Sequence, residues 1–171
     1  MKLLRVVASN FKNCCDNFTI DFIAKSRKTS EDKEYELQAI ADDLHAFNTV
    51  AFVGKNASGK TTAVDLLDCC YSILGDFCVE NKHYRYDGIK LEIIFYHEGF
   101  IYRYRTELGS STTLSNKASF INQTLEQKIL SPYPTLVLCP KILPSLFLCL
   151  RKKKPVQSIL IVTEKVPIPI S

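Results

Sequence analysis

The feature that most constrains this chain is an eight-residue motif, GKNASGKT, at residues 54–61. It matches the pattern G-x-x-x-x-G-K-[ST], in which glycines permit a tight turn whose backbone N–H groups converge on phosphate oxygens. Residues 49–53 form a short β-branched and aromatic run before it, and apolar residues at helical spacing follow over 60–74. The sequence therefore predicts a core strand, a phosphate-binding loop and a helix, with Gly75 as the helix C-cap.

Each position of the motif has its own role in binding a nucleotide. Lys60 would reach the β- and γ-phosphates as a positive charge, beside the positive end of the helix dipole. The Thr61 hydroxyl would coordinate Mg²⁺, and the backbone near Thr62 would hold the α-phosphate. No residue is assigned to catalysis beyond the phosphate-stabilising Lys60. The predicted nucleotide-binding residues are Gly54, Lys55, Asn56, Ala57, Ser58, Gly59, Lys60, Thr61 and Thr62.

The identity of the nucleotide base is predicted from two sequence patterns, D-x-x-G and N-K-x-D, that GTPases contain. No glycine has an Asp three residues before it, so the pattern D-x-x-G is missing. Residues 81–82 and 116–117 begin the pattern N-K-x-D, but both lack its Asp. Adenine is therefore favoured, and ATP with Mg²⁺ is the expected ligand pair.

The remaining patterns predict an α/β fold. Alternating or apolar runs indicate strands over 3–8 and 18–22 and a hairpin formed by 89–96 and 100–105, while helical spacing indicates helices over 35–44 and 120–130. In the second hairpin strand, Ile101, Arg103 and Arg105 would face one way, and Tyr102 and Tyr104 the other. The two arginines could contact phosphate or DNA, although a solvated face is favoured.

The composition of the chain changes near residue 130. Every glycine lies before residue 110, every proline lies after residue 131, and residues 131–171 carry six basic side chains against one acidic. Residues 1–130 have no excess of positive charge of the kind that nucleic-acid-binding domains carry. We therefore divide the chain into a domain, 1–130, and an atypical Pro-rich basic tail, 131–171, which could be disordered or arise from a shifted reading frame.

The cysteines and apolar runs bear on the cellular compartment. Seven cysteines without C-x-x-C spacing are typical of reduced thiols in a cytoplasmic protein. Residues 1–8 carry charge inside their apolar run, unlike a signal peptide. The run 136–150 contains Pro140 and Pro144 and is shorter than the roughly 20 residues that span a bilayer. We expect no membrane segment and a cytoplasmic location.

Residues 52–62, FVGKNASGKTT, resemble the P-loop of the ABC-type ATPases of the SMC/RecF/OLD-nuclease group, often labelled AAA-family ATPases. Their loop usually reads G-x-N-G/A-S-G-K-S/T, so Asn56 matches an asparagine that lies near the γ-phosphate, and Ala57 replaces the commoner glycine. The NFK sequence at residues 10–12 resembles the family's turn that approaches the nucleotide, and residues 89–105 resemble its antiparallel β-subdomain. The resemblance covers about residues 1–130 and implies an incomplete N-terminal lobe of a P-loop NTPase.

The resemblance also implies activity and partners. These are ATP binding, ATP hydrolysis by the complete domain, a homodimer formed through the nucleotide-binding face, and DNA as a partner on family grounds alone. The family's signature motif and its Walker B strand are missing. The nearest Walker B candidate, residues 159–164, has Thr163 where the family has Asp.

Two alternatives remain open. The chain could be a truncated, catalytically inactive module that binds nucleotide or serves only for interaction. It could also be a small P-loop kinase, but residues 76–100 show a hairpin-like pattern where a kinase would have an arginine-rich lid.

Overall fold

The computed structural model describes residues 1–24, 36–41, 44–110, 116–129, 136–138 and 161–162. Within these ranges the chain forms nine strands and one helix. The strands are β1 Lys2–Ser9, β2 Phe18–Asp21, β3 Leu37–Ala41, β4 Leu44–Phe47, β5 Ile89–His97, β6 Phe100–Ser110, β7 Ala118–Ile129, β8 Leu136–Leu138 and β9 Ile161–Val162, and the helix is α1 Lys60–Asp76.

Seven of the strands form one antiparallel sheet in the order β2-β1-β5-β6-β7-β8-β9. From β5 to β8 each strand pairs with the next along the chain, because short connections favour antiparallel neighbours, and β9 pairs with β8. Strands β3 and β4 form a separate two-stranded sheet. The architecture is therefore α/β with antiparallel sheets, and within the described residues strands far outnumber the single helix.

Helix α1 covers one face of the large sheet and forms the main core with it. The buried face of the helix includes Leu66 and Ile73, which belong to the same apolar cluster as Ile93 of β5 and Tyr104 of β6. All four side chains are fully buried. This packing fixes the position of the helix, including its N-terminal end.

The small sheet covers part of the opposite face. Ile40 and Ala46 of the small sheet pack with Leu4 of β1 and Ile101 of β6. Backbone hydrogen bonds join this hairpin to the segment after β2, since the N–H of Phe47 donates to the carbonyl of Phe22 at 2.8 Å. The predicted division of β6 into an arginine face and a tyrosine face is confirmed by these two clusters.

Several predicted elements agree with the structure. The strands over 3–8 and 18–22, the 89–105 hairpin and the helix over 60–74 are confirmed to within a few residues. Gly75 is not the C-cap, because the helix continues to Asp76. Phe77 is the cap instead: it adopts a left-handed conformation (φ 51°), and its N–H donates to the Ile73 carbonyl at 3.0 Å.

Both of the other predicted helices are wrong, and both errors arise at β-bulges. Residues 120–129 belong to β7, whose register against β6 shifts between Arg105 and Glu107. Residues 37–41 and 44–47 form the small sheet, whose register shifts between Ala39 and Ala41. A bulge inserts a residue and breaks the two-residue alternation, so the buried Leu37 and Ile40 lie three apart, as on a helix.

The predicted tail contributes β8 and β9 to the large sheet, and its other residues lie outside the described ranges. In the part of the chain that the structure describes, no helix has the length and hydrophobicity to cross a membrane.

The core between α1 and the sheet predicts a large loss of stability on truncation. We expect Leu66→Ala to lower the free energy of unfolding by about 2–5 kcal/mol, because it leaves a cavity in a fully buried site. Urea denaturation measures this change. Val64→Ala, on the exposed face of the same helix, is the control and should change it by less than about 0.5 kcal/mol. Equal effects of the two substitutions would contradict the assigned helix orientation.

Candidate phosphate-binding site

The segment before the loop differs from its prediction. Residues 49–54 form no strand, and Val50, Phe52 and Val53 are exposed, Val53 to 92%. The predicted core strand is therefore wrong. A strand needs a neighbour to satisfy its backbone N–H and C=O groups, and none of the described strands pairs with this segment. Its β-branched residues are consistent with an extended chain but do not supply the partner.

The loop itself is tightly closed. A Cβ atom added to Gly54 would lie 2.5 Å from the Ser58 Oγ, so a side chain at this position would force the Ser58 side chain to move. Gly59 has a φ of 87°, which L side chains rarely adopt, and Ala57 has a φ of 63°. The loop conformation therefore favours glycine at 59, and the close contact with Ser58 favours it at 54. Ala57 adopts the conformation that the commoner glycine would adopt with less strain.

Lys60 lies across the loop. Its Nζ donates to the carbonyl oxygens of Gly54 at 2.8 Å and Lys55 at 2.7 Å, and lies 3.4 Å from the Ser58 Oγ. These acceptors are neutral, so they orient the ammonium without cancelling its charge. The arrangement places a positive charge inside the closed loop.

Helix α1 begins at the same point. Gly59 is its N-cap, no side chain of the described residues caps it, and its first turn carries no acidic residue. The N–H groups of a first turn have no partner within their helix, and the dipole adds a positive partial charge there. A phosphate group would satisfy both requirements.

The loop opens into a cleft of about 1260 Å³. That volume exceeds the roughly 300–1,000 Å³ of ordinary small-molecule sites. Residues 50–53 and 56–63 line one side, and residues 13–15 and 18–21 line the other. Seven of the nine predicted binding residues, 56–62, line it. The other two, Gly54 and Lys55, lie behind Lys60 and contribute the carbonyl oxygens that hold its ammonium.

Two of the residues that line the cleft, Thr61 and Asp21, have side chains that bear on metal binding. Thr61 is exposed at the start of α1, where its hydroxyl could coordinate Mg²⁺ together with phosphate oxygens. Among the residues that line the cleft, Asp21 carries the carboxylate. Its Oδ2 accepts two hydrogen bonds from Arg5, at 3.1 and 2.7 Å. The described residues contain no group of three or more His, Cys, Asp or Glu that could hold a metal ion.

The described part of the predicted Walker B candidate does not line this cleft. Of residues 159–164, the structure describes Ile161 and Val162, which form β9. Strand β9 runs antiparallel to β8 at one edge of the sheet, whereas β2, which lines the cleft, forms the other edge.

Sequence reasoning missed the wall of the cleft opposite the loop. Cys14 and Cys15 line this wall, with Cys15 exposed and Cys14 half-buried. Burial raises the pKa of the Cys14 thiol, and the neighbouring Cys15 adds to the effect. No spacing rule predicts this wall, because it depends on a turn with left-handed residues at Asn10 and Lys12. The NFK sequence at residues 10–12 is the one signal that points to it.

Both arginines of β6 form ion pairs with carboxylates of neighbouring strands, but of the two only Arg103 is buried. Arg103, which is 7% exposed, donates to the Glu126 Oε2 at 3.2 Å. Arg105 donates to the Glu126 Oε1 at 2.9 Å and to the Glu92 Oε2 at 2.7 Å. The prediction of a solvated face is therefore wrong for Arg103. Both guanidinium groups are occupied by carboxylates, so this face offers little charge to phosphate or DNA.

Comparison with protein-family models, with curated proteins and with solved structures finds no match to this chain.

The central carboxylate of the arginine network predicts a stability effect. Glu126 is 4% exposed and pairs with both arginines. We expect Glu126→Gln to lower the free energy of unfolding by about 3 kcal/mol, because it removes the carboxylate nearest to the buried Arg103 and leaves only Glu92, at 3.9 Å, to balance its charge. Urea denaturation measures it. Glu107→Gln in β6 is the control: Glu107 accepts one long bond, from Asn122 at 3.4 Å, and its loss should cost less than about 0.5 kcal/mol. A small effect of Glu126→Gln would refute a structural role for the network.

Proposed function

We propose that this protein binds ATP with Mg²⁺ through residues 54–62. The observation that carries the proposal is the Lys60 ammonium, which is held by neutral oxygens over a tightly turned loop at the uncapped start of α1. The helix terminus, the loop N–H groups and the lysine together favour a chain of negatively charged phosphates. Thr61 would supply a hydroxyl ligand to the metal ion, and the phosphates would supply others.

The finer fold that fits this proposal is the N-terminal lobe of an ABC/SMC-type P-loop NTPase. The antiparallel sheet, the following hairpin and the helix after the loop support it. A homodimer through the nucleotide-binding face and a DNA partner belong to the same proposal and rest on the resemblance alone. The adenine base is favoured because the guanine-reading patterns are incomplete.

For this chain we propose binding and not fast hydrolysis. Hydrolysis requires a carboxylate or equivalent group that orients the attacking water. Of the described residues at the cleft, Asp21 carries the carboxylate, and Arg5 already occupies it. A complete family domain would hydrolyse ATP, whereas this chain should bind it with negligible release of phosphate. Phosphate transfer to a small acceptor would favour the kinase alternative instead.

Lys60 provides the direct test of the binding proposal. We expect Lys60→Ala to weaken MgATP binding by more than about tenfold, because a charge-assisted hydrogen bond contributes about 1.5–3 kcal/mol. Isothermal titration calorimetry measures the affinity. Lys55→Ala is the matched control: it removes an exposed lysine from the same loop but keeps the backbone carbonyl that holds Lys60. Unchanged affinity in Lys60→Ala would remove the phosphate-loop assignment.

The cleft predicts that bound nucleotide protects a cysteine. Cys15 is exposed and lines the cleft, so MgATP should slow its alkylation by iodoacetamide. We expect about tenfold slowing at a nucleotide concentration about ten times Kd, as mass action requires. Peptide mass spectrometry reads each thiol separately. Cys69 is the internal reference, because burial raises its pKa to about 11 and keeps it unreactive with or without nucleotide. Equal protection in Lys60→Ala would count against binding at the loop.

A further inference from the structure

A lysine in the turn after β1 forms an ion pair with helix α1. The Lys12 Nζ donates to the Asp65 Oδ2 on α1 and lies 5.1 Å from the centroid of the Tyr84 ring. Phe11, which is fully buried, contacts the same ring edge-on with centroids 4.9 Å apart. The turn therefore has an apolar anchor and a charged anchor side by side, and the charged one joins it to the helix.

This attachment holds a strained backbone in place. Asn10 and Lys12 both have positive φ, at 58° and 49°, a conformation that costs residues other than glycine on the order of 1 kcal/mol each. The Asn10 side chain also donates to the Gly88 carbonyl at 3.1 Å. Such strain persists where the surrounding contacts fix the chain. The residues that follow immediately, 13–15, form the cleft wall opposite the phosphate loop.

The helix end of the ion pair lies just below the loop. Asp65 is four residues after Thr61, so the two share one side of α1 on successive turns. The side chains of Lys12 and Asp65 are 25% and 32% exposed, so the pair is shielded from most of the solvent. It thus connects the wall at residues 13–15 to the helix that carries the other side of the cleft.

We propose that Lys12 and Asp65 are positioning residues for the nucleotide. Their ion pair sets the separation between the wall at residues 13–15 and the loop, and neither side chain contacts the ligand. This role rests on the proposed function, because it concerns the geometry of the same cleft. Asp65 neutralises the Lys12 ammonium, so the contribution of Lys12 is to place the wall and not to add charge to the site.

The chain contains a matched control for this proposal. Lys82 forms an ion pair with Asp68, one turn farther along the same helix. It too joins a lysine outside the helix to an aspartate on α1, but neither residue lines the cleft. Loss of the Lys82–Asp68 pair should affect the attachment of α1 and leave the cleft walls in place.

The experiment compares five variants in the full chain: Lys12→Met, Asp65→Asn, the two combined, Lys12→Arg and Lys82→Met. Calorimetry gives Kd for MgATP, and the melting temperature checks folding. We expect each single loss at the Lys12–Asp65 pair to weaken binding about fivefold, as loss of a partly shielded ion pair can. The combined variant should be no weaker than either single one, because the pair acts as a unit. Lys12→Arg should retain wild-type affinity, and Lys82→Met should lower only the melting temperature.

Four outcomes would overturn the positioning role. Loss of affinity in Lys12→Met with unchanged affinity in Asp65→Asn would mean that Lys12 contacts the nucleotide itself. An equal loss in Lys82→Met would mean that general attachment of the helix is responsible. The third outcome is that Lys60→Ala loses MgATP binding while both single variants at the Lys12–Asp65 pair keep it. This result would refute the positioning role and leave the proposed function standing. A wild-type chain without nucleotide affinity would refute both.

Discussion

The structure depends on the packing of one helix against one antiparallel sheet. Leu66 and Ile73 of α1 lie in the same buried cluster as Tyr104 of β6, and this packing fixes the position of the helix against the sheet. The phosphate loop has no regular strand on its N-terminal side, so its geometry is set from the helix end. Core packing therefore places the first turn of α1, which Gly59 precedes in a left-handed conformation.

The sequence predicts those parts of the fold in which one periodicity runs without interruption. It predicts α1, the β5–β6 hairpin and the division of β6 into two faces, because each keeps a single repeat over its length. It mistakes β7 and the β3–β4 hairpin for helices, because bulges move buried residues to helical spacing. Its prediction of a core strand at residues 49–53 is wrong, because β-propensity describes the side chains and not the presence of a partner strand.

The candidate site likewise has one part that a local sequence pattern predicts and one part that depends on long-range contacts. The loop motif is local, so residues 54–62 could be identified from their spacing alone. The opposite wall comes from a turn some 40 residues earlier in the chain, and its position depends on contacts such as Lys12–Asp65 that no pattern encodes. For the arginines of β6, a local pattern led to a wrong prediction because it did not include their partners on neighbouring strands. Their alternation suggests a solvated face, yet carboxylates from two neighbouring strands, Glu92 and Glu126, cover them. Net charge near zero over residues 1–130 agrees with this internal pairing.

The hydrogen bonds of Lys60 have a thermodynamic consequence for any ligand of the loop. The ammonium already holds the Gly54 and Lys55 carbonyls, and in doing so it ties the start of the loop to the helix. A phosphate that takes the ammonium must displace these oxygens, so binding is an exchange of one bonded arrangement for another. The measured affinity would report the difference between the two arrangements. Part of the interaction energy would go into reshaping the loop, so Lys60 both binds the ligand and stabilises the closed loop that the ligand must rearrange.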